Sequence, residues 1–152
     1  MGLDMYLYKH TYVRNWDFQK PEEQHEITIK KGGVTRTDIK PERISYIVEQ
    51  VGYWRKFNAL HKWIIDNCNG GEDVCREMYV DGTKIEELKN ILRRILDDKK
   101  LAKELLPTEE GFFFGSQEYD DYYFEKVQYT LELLEEETAD GQIGDYYYYP
   151  SW

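Results

Sequence analysis

The stretch Leu3-Asp4-Met5-Tyr6-Leu7-Tyr8 decides the fold class of this 152-residue chain, because apolar side chains alternate along it with polar or amphipathic ones. A period of two is typical of a strand that buries one face, since successive side chains of a strand point to opposite sides of its sheet. The pattern therefore predicts that a strand within residues 1–13 opens a sheet.

Turn signals and strand-prone runs indicate further strands. Gly32-Gly33 separates two such runs and predicts a hairpin, because glycine accepts the positive φ that tight hairpin turns require. Residues 44–48 favour a strand, although Pro41 followed by Glu42 is equally consistent with the start of a helix. Residues 74–80 alternate like a strand, and we expect the tyrosine-rich tail, residues 145–152, to pair with the sheet.

The first predicted helix covers residues 52–63, which read Gly-Tyr-Trp-Arg-Lys-Phe-Asn-Ala-Leu-His-Lys-Trp. Apolar side chains recur at helical spacing along it and should face a core. They are Tyr53, Phe57, Leu60 and Ile64.

Two further helices are predicted downstream. Thr83 and Glu86 have the spacing of a capping box and predict the start of the second helix. Its expected core stripe is Ile85, Leu88, Leu92, Ile95 and Leu96, and the side chains expected in water are Lys89, Arg93 and Arg94. A short continuation over residues 101–106 should stop before Pro107.

The third helix is predicted over about residues 120–137, with a core stripe of Phe124, Val127, Leu131 and Leu134. The pattern predicts a single α+β domain, a mostly antiparallel sheet with about three helices packed on it.

The charge of the chain is concentrated in one segment. The net charge is -10, and residues 109–145 contain twelve acids and one base, which gives -11 there and +1 elsewhere. This distribution indicates a near-neutral body with one acidic side. It argues against direct nucleic-acid binding, because phosphate recognition is driven by cationic side chains.

Cysteine and histidine usage supports neither a metal site nor a cofactor. Cys68 and Cys75 flank an Asn-Gly-Gly turn without a second pair to complete a zinc site, and we interpret them as free, partly buried thiols. His10, His25 and His61 show no i, i+4 pairing. The sequence shows neither a secretory leader pattern nor an apolar run near the ~18 residues of a membrane span, so we expect a cytoplasmic protein that does not bind membranes.

A second set of side chains lies beside the apolar stripe of the first predicted helix. This set combines aromatic, cationic and hydrogen-bonding side chains. It consists of Trp54, Arg55, Asn58, His61 and Lys62. In one interpretation they line a pocket in which a planar ring stacks on an aromatic side chain while the cations bind a phosphate or carboxylate. In the other, the aromatics pack, the histidine is a satisfied core group and the cations are solvated or paired with acids.

The run Phe112-Phe113-Phe114-Gly115-Ser116 poses the same alternative. Packing under the tyrosine-rich tail would account for the three phenylalanines. In the ligand hypothesis Phe114 lines the pocket wall, Gly115 lets backbone N–H groups approach the ligand and Ser116 hydrogen-bonds to it. The chain has no Walker or dinucleotide glycine pattern.

Sequence support for catalysis is weak. Ser116, His61 and Asp4 offer a nucleophile, a base and an orienting acid, but no Gly-x-Ser-x-Gly elbow is present. We assign no catalytic residue and lean towards a protein that is not an enzyme. Asp4, if buried, is expected to pair with Arg55 or Lys56.

Four blocks of the sequence carry a resemblance to a known family. They are Met-Gly-Leu-Asp-Met-Tyr-Leu (1–7), Tyr-Trp-Arg-Lys-x-Asn-x-x-His-x-Trp (53–63), Leu-Leu-Pro-Thr-x-x-Gly-Phe-Phe-Phe-Gly-Ser-x-Glu-Tyr-Asp (105–120) and the terminal Ser-Trp (151–152). Together they resemble a family of small proteins encoded by bacteriophages and prophages, over nearly the whole chain. The resemblance implies a phage-borne accessory gene and implies no mechanism.

Two functional hypotheses follow. The first is a non-enzymatic binder of a small anionic, nucleotide-like ligand, which would sequester a metabolite or immune signal in the host bacterial cytoplasm. The second is an acidic inhibitor that imitates a nucleic acid and occupies a cationic surface of a host nuclease complex. Acids spaced regularly along one exposed surface would favour the second hypothesis, and a concave aromatic pocket with positive potential would favour the first. The sequence leaves homo-oligomerisation open.

Overall fold

The computed structural model describes residues 2–111, 115–139 and 144–152. In these ranges the strands are β1 (Asp4–Tyr12), β2 (Lys30–Lys31), β3 (Val34–Thr35), β4 (Tyr46–Arg55), β5 (Met78–Val80) and β6 (Asp145–Ser151). The helices are α1 (Asn58–Cys68), α2 (Gly82–Asp97), α3 (Ala102–Leu105) and α4 (Asp121–Thr138), with 3-10 turns at Pro21–Glu23, Pro41–Arg43 and Lys99–Leu101. The predicted α+β class is confirmed.

The main sheet has the strand order β4-β1-β6-β5, and every neighbouring pair is antiparallel. The opening strand and the tyrosine-rich tail therefore lie side by side at its centre, which confirms the prediction that the tail pairs with the sheet. Strands β2 and β3 form the predicted hairpin as a separate two-stranded sheet, in which Gly32 and Gly33 have φ values of 58° and 81°. Residues 74–80 were predicted to be extended throughout, but only Met78–Val80 pair as a strand.

The helices pack on one face of the main sheet and share a single hydrophobic core with it. Strand β1 contributes Met5 and Leu7, the residue before it contributes Leu3, and β6 contributes Tyr146 and Tyr148, each at most 4% exposed. Helices α1, α2 and α4 cover these side chains with buried residues at helical spacing, among them Leu60, Leu92 and Val127. The alternation of residues 3–8 and the helical stripes predicted for α2 and α4 thus identify the core correctly.

The helix predicted over residues 52–63 is wrong at its start. Strand β4 continues through Arg55, and α1 begins only at Asn58. The ladder with β1 extends to the pair Asp4 and Arg55, and Lys56 N then donates a 2.7 Å hydrogen bond to Leu3 O. Tyr53, placed in the buried stripe by the sequence, is 41% exposed on the opposite face of the sheet.

Gly52, the first residue of the predicted helix, lies instead inside β4 opposite Leu7. A Cβ atom at Gly52 would lie 2.9 Å from Leu133 Cδ1 and from the Trp54 ring. Helix α4 therefore needs a residue without a side chain here in order to approach the sheet. Gly52 is therefore required by the close packing of α4 on the sheet, and it does not mark a break in secondary structure.

Two details of α2 also correct the sequence interpretation. Its N-cap is Asp81, whose carboxylate accepts a 3.2 Å hydrogen bond from Thr83 N, so the predicted capping box of Thr83 and Glu86 is wrong. Lys89 was expected in water but is 7% exposed, because α4 packs over it. Its ammonium donates hydrogen bonds to Glu86 Oε1 at 3.0 Å and to Thr138 Oγ1 at 2.7 Å. These hydrogen bonds offset the cost of removing the charged group from water.

Candidate ligand-binding site

A pocket of about 380 Å³ lies where the end of β4 meets the N-terminus of α4. Further wall residues are Thr108, Gly115, Ser116, Glu118 and Asp120. This volume falls at the lower end of the range of about 300–1,000 Å³ that is usual for small-molecule sites. A ligand of nucleotide size could be held here in part, with the remainder in solvent.

Cations outnumber acids in the wall of this pocket. Arg55, Lys56 and Lys126 line it, together with the two carboxylates of Glu118 and Asp120. Asp120 caps α4 by accepting a 3.1 Å hydrogen bond from Tyr123 N. The helix N-terminus adds a partial positive charge beside these cations, and the Asp120 carboxylate offsets part of it.

Lys126 is partly buried within the pocket wall. Its ammonium donates a 3.2 Å hydrogen bond to Arg55 O and lies 5.7 Å from the centroid of the Phe57 ring. Burial lowers the pKa of Lys126, since removal from water disfavours the charged form, while the nearby Asp120 opposes that effect. An anion placed beside the ammonium would stabilise its charge.

Arg55 is held by an acid yet stays accessible. Its Nη1 donates a 2.8 Å hydrogen bond to Asp4 Oδ1, and the Tyr53 hydroxyl donates to the same oxygen at 2.6 Å. These two hydrogen bonds, that from Tyr53 first, lower the pKa of Asp4. The expected pairing of Asp4 with Arg55 is therefore present, although it joins two neighbouring strands and not a strand and a helix. The Arg55 side chain is 51% exposed, so a ligand can reach its guanidinium.

Two residues with left-handed backbone meet at the pocket wall. Lys56 has φ 56°, the only positive value at a non-glycine residue among the described positions, and Gly115 has φ 89°. A Cβ atom at Gly115 would lie 2.8 Å from Lys56 Cβ and 3.1 Å from Lys56 O. Lysine in this conformation is strained, at a cost of about 1–3 kcal/mol, and such strain concentrates at ligand-binding positions.

Asn58 is the first residue of α1 and ties the segment 108–118 to the helix. Its Nδ2 donates to Ser116 O at 2.8 Å, and its Oδ1 accepts from Glu109 N at 2.8 Å. The side chain is buried, so the amide positions the wall of the pocket. Ser116 also lines the pocket, and its hydroxyl accepts a 3.0 Å hydrogen bond from Glu118 N.

Trp54 and His61, predicted to contact a ligand, face the core instead. Trp54 is 4% exposed, and its indole N–H donates to Thr130 Oγ1 on α4 at 2.8 Å. His61 is 2% exposed, with Nδ1 2.7 Å from the Tyr148 hydroxyl and Nε2 3.0 Å from Asp73 Oδ1. For both residues the structure favours the packing interpretation, because strand β4 turns the indole inward and α1 turns the imidazole towards β6.

Lys62 lies on α1 away from the pocket. Its ammonium pairs with Asp66 Oδ2 and Glu109 Oε2, each at 3.1 Å. The hydrogen bonds that the ammonium donates to these carboxylates, that to Asp66 first, raise the pKa of Lys62. Of the predicted residues, the pocket thus brings together Arg55, Asn58 and Ser116. Phe114 lies outside the described residues.

Sequence reasoning missed Lys56, Tyr122 and Lys126 as pocket residues. A signal existed for Lys126, which is the only base among residues 109–145 and so stands out within the acidic segment. Tyr122 is 73% exposed and is the most accessible ring of the pocket, whereas Tyr123 is buried and donates to Leu106 O at 2.7 Å. No sequence pattern places α4 beside the end of β4, so this proximity could be read only from the fold.

The imagined triad is not assembled. Asp4 bonds to Tyr53 and Arg55, His61 bonds to Tyr148 and Asp73, and Ser116 bonds to Glu118. Within the described ranges, no group of three or more His, Cys, Asp or Glu side chains could hold a metal ion. In the same ranges no helix combines the length and apolar character needed to cross a membrane.

Comparison of the chain with protein-family models, with curated proteins and with solved structures finds no match. The observations that bear on function are therefore the geometry of this site and the charge of the surfaces around it.

Proposed function

We propose that this protein binds a small anionic, nucleotide-like ligand in the pocket between the end of β4 and the start of α4, without converting it. The observation that carries the proposal is the convergence of Arg55, Lys56 and Lys126 on the N-terminus of a helix. Charged donors and a helix dipole directed at one place are the usual elements of phosphate recognition.

The remaining wall residues suit the other parts of a nucleotide. The exposed Tyr122 ring offers a stacking surface for a planar base. The Glu118 and Asp120 carboxylates can accept hydrogen bonds from sugar hydroxyls. A pocket of about 380 Å³ would enclose the phosphate and part of the sugar and leave the base on the Tyr122 ring.

The resemblance to bacteriophage and prophage proteins supports a setting for this binding. In an infected bacterium, a cytoplasmic protein that captures a nucleotide signal lowers its free concentration without any chemical step. Counter-defence by sequestration is the role we attach to the pocket.

Isothermal titration against a panel of nucleotides and cyclic nucleotides tests the proposal. The informative variant is Lys56→Gly, because glycine accepts the positive φ at this position while the substitution removes one ammonium from the wall. A charge-assisted hydrogen bond is worth about 1.5–3 kcal/mol, so affinity should fall about ten- to a hundredfold at near-constant stability. Lys62→Gln is the matched control, since it removes an α1 cation outside the pocket and should leave affinity unchanged. Flat traces across the whole panel would refute ligand binding.

A second candidate function rests on the outer face of α4. Its exposed acids recur at nearly helical spacing, as Asp121, Glu125, Glu132 and Glu136. At about 1.5 Å per residue this stripe extends over roughly 22 Å, comparable to a run of nucleic-acid phosphates. The second proposal is a nucleic-acid mimic that occupies a cationic groove of a host nuclease complex.

To test the mimic, the protein is added to host cell extract and the rate at which linear duplex DNA is degraded is measured. A mimic slows degradation, and replacement of the four stripe acids by their amides removes the effect. Arg93 pairs with Glu135 at 3.4 Å beside the stripe, so Glu135→Gln serves as a control that neutralises an acid already paired within the protein. Equal degradation with and without the protein excludes the mimic.

A further inference from the structure

The face of the main sheet opposite the helices is lined with tyrosines. Successive side chains of a strand point to opposite sides, so the residues that alternate with the buried Leu3, Met5 and Leu7 along the chain point away from the core. Strand register places the following rings together on this outer face: Tyr6, Tyr8, His10 and Tyr12 of β1, Tyr46 and Tyr53 of β4, Tyr147 and Tyr149 of β6, and Tyr79 of β5. We call this set the tyrosine face.

The rings of the tyrosine face contact one another across all four strands. Tyr6 lies 5.3 Å from Tyr53 and 6.5 Å from Tyr149, measured between ring centroids. His10 joins β1 to β6 by a 4.2 Å contact with Tyr147, and Tyr147 reaches Tyr79 on β5 at 5.6 Å. The rings hold each other in place, so little side-chain freedom remains to be lost when a partner binds.

The periphery of the tyrosine face is open to solvent in the described part of the chain. Tyr12, Tyr46, Tyr53 and Tyr79 are between 41% and 49% exposed. Tyrosine is enriched at protein interaction sites because its ring buries a large apolar area while its hydroxyl still bonds to water or a partner.

Charge decides which partner fits. Among the described residues that the strand register and the contact with His10 place on this face, the acids are Asp4, Glu77 and Asp145, and the guanidinium of Arg55 already pairs with Asp4. His10 lies 3.7 Å from Glu77. Single-stranded nucleic acid also stacks on aromatic sheet faces, but it needs cations for its phosphates, which are scarce here. A second copy would bring its own Asp4, Glu77 and Asp145 against the same acids, which opposes self-association.

We propose that the tyrosine face binds a basic peptide segment of a partner protein, whose arginine side chains stack on the rings and pair with the acids around them. Guanidinium groups stack on aromatic faces and also form hydrogen bonds with carboxylates, so one arginine can use both features of this surface. The face measures about 14 Å across four strands and roughly 26 Å along β1, from the usual spacings of sheets. This area suits a short segment and is smaller than the roughly 800 Å² per partner of a standard interface between folded domains.

Fluorescence anisotropy with a labelled peptide of alternating arginine and glycine tests the proposal on the whole chain. The first variant combines Tyr12→Ser, Tyr46→Ser and Tyr79→Ser, all at exposed rings, and should lose affinity about ten- to a hundredfold at physiological ionic strength. The same three positions changed to phenylalanine keep the rings and should stay within about threefold of the unmodified protein. Thermal melting followed by circular dichroism checks that both variants fold.

Matched controls separate stacking from simple attraction to an acidic protein. One control, Tyr122→Ser, removes an exposed tyrosine of α4. A second control combines Glu125→Gln with Glu132→Gln and removes two acids of the same helix. Neither control should weaken peptide binding by more than about twofold. The proposal is overturned if the α4 changes weaken binding as much as the serine variant does. It is also overturned if oligothymidylate binds the face more tightly than the peptide, if sedimentation shows a dimer that the serine variant abolishes, or if no probe binds.

Discussion

Tyr148→Phe tests how the tail strand is fixed to the first helix. Tyr148 is 0% exposed at the centre of β6, and its hydroxyl lies 2.7 Å from Nδ1 of the buried His61. Phenylalanine preserves the ring and its packing and removes only this oxygen. On the other side of the imidazole, Asp73 Oδ1 lies 3.0 Å from Nε2 and also accepts the Trp152 indole N–H at 3.1 Å. The substitution therefore removes one contact from a network that joins β6, α1 and the segment before β5.

The expected loss of stability follows from the burial of the contact between Tyr148 and His61. A typical intramolecular hydrogen bond contributes about 0.5–1.5 kcal/mol, and loss of a partner for a buried polar group costs about 1–3 kcal/mol. We expect Tyr148→Phe to lower the free energy of unfolding by about 1–3 kcal/mol, which for a chain of this size corresponds to roughly 2–10 °C in Tm.

Urea unfolding followed by tryptophan fluorescence measures the effect, and the adjacent residue supplies the control. Tyr147 lies on the opposite face of the same strand, so Tyr147→Phe removes a hydroxyl without touching the His61 network. It should change stability by less than about 0.5 kcal/mol. Equal effects of the two substitutions would show that the contact of Tyr148 with His61 does not stabilise the fold, and the argument from burial would fail.

Three further predictions concern the pocket and the core. Gly115→Ala should destabilise the fold by about 1–3 kcal/mol and weaken nucleotide binding, because alanine is strained at φ 89° and its Cβ collides with Lys56; unchanged melting and titration curves would contradict the described wall. In chemical denaturation Arg55→Ala should leave the free energy of unfolding nearly unchanged, because its ion pair is exposed, whereas Phe57→Ala should lower it by about 3–5 kcal/mol as a core truncation. Equal losses would make Arg55 a structural residue. Burial raises the pKa of Tyr146 to about 12, above its usual value near 10 in the unfolded chain, so its contribution to stability is complete below about pH 10 and is lost as pH rises through about 12. Urea midpoints measured across this range should fall less steeply for Tyr146→Phe, and parallel curves would contradict the assignment.

The candidate site was only partly predictable. Arg55, Asn58 and Ser116 stand out by residue type and line the pocket, but they were grouped with Trp54 and His61 because residues 52–63 were read as one helix. In a strand, Trp54 and Arg55 point to opposite faces, so the indole enters the core while the guanidinium lies on the outer face, where it pairs with Asp4. Over so few residues the spacing of apolar side chains fits both the period of two of a strand and the 3.6-residue period of a helix. Only the hydrogen-bonded pairing with β1 shows that residues 52–55 form a strand.

The sequence by itself determined the α+β class, the buried face of β1, the hairpin at Gly32-Gly33 and the core stripes of α2 and α4. These features follow from periods of two and 3.6 and from glycine turns, which are local properties of the chain. Only the tertiary structure decided that β6 lies between β1 and β5, that Lys126 meets Arg55 across α4 and β4, and that tyrosines from four strands form one face. Each depends on pairing between distant segments, whose register is set by the packing of the whole core and leaves no signal in the local pattern.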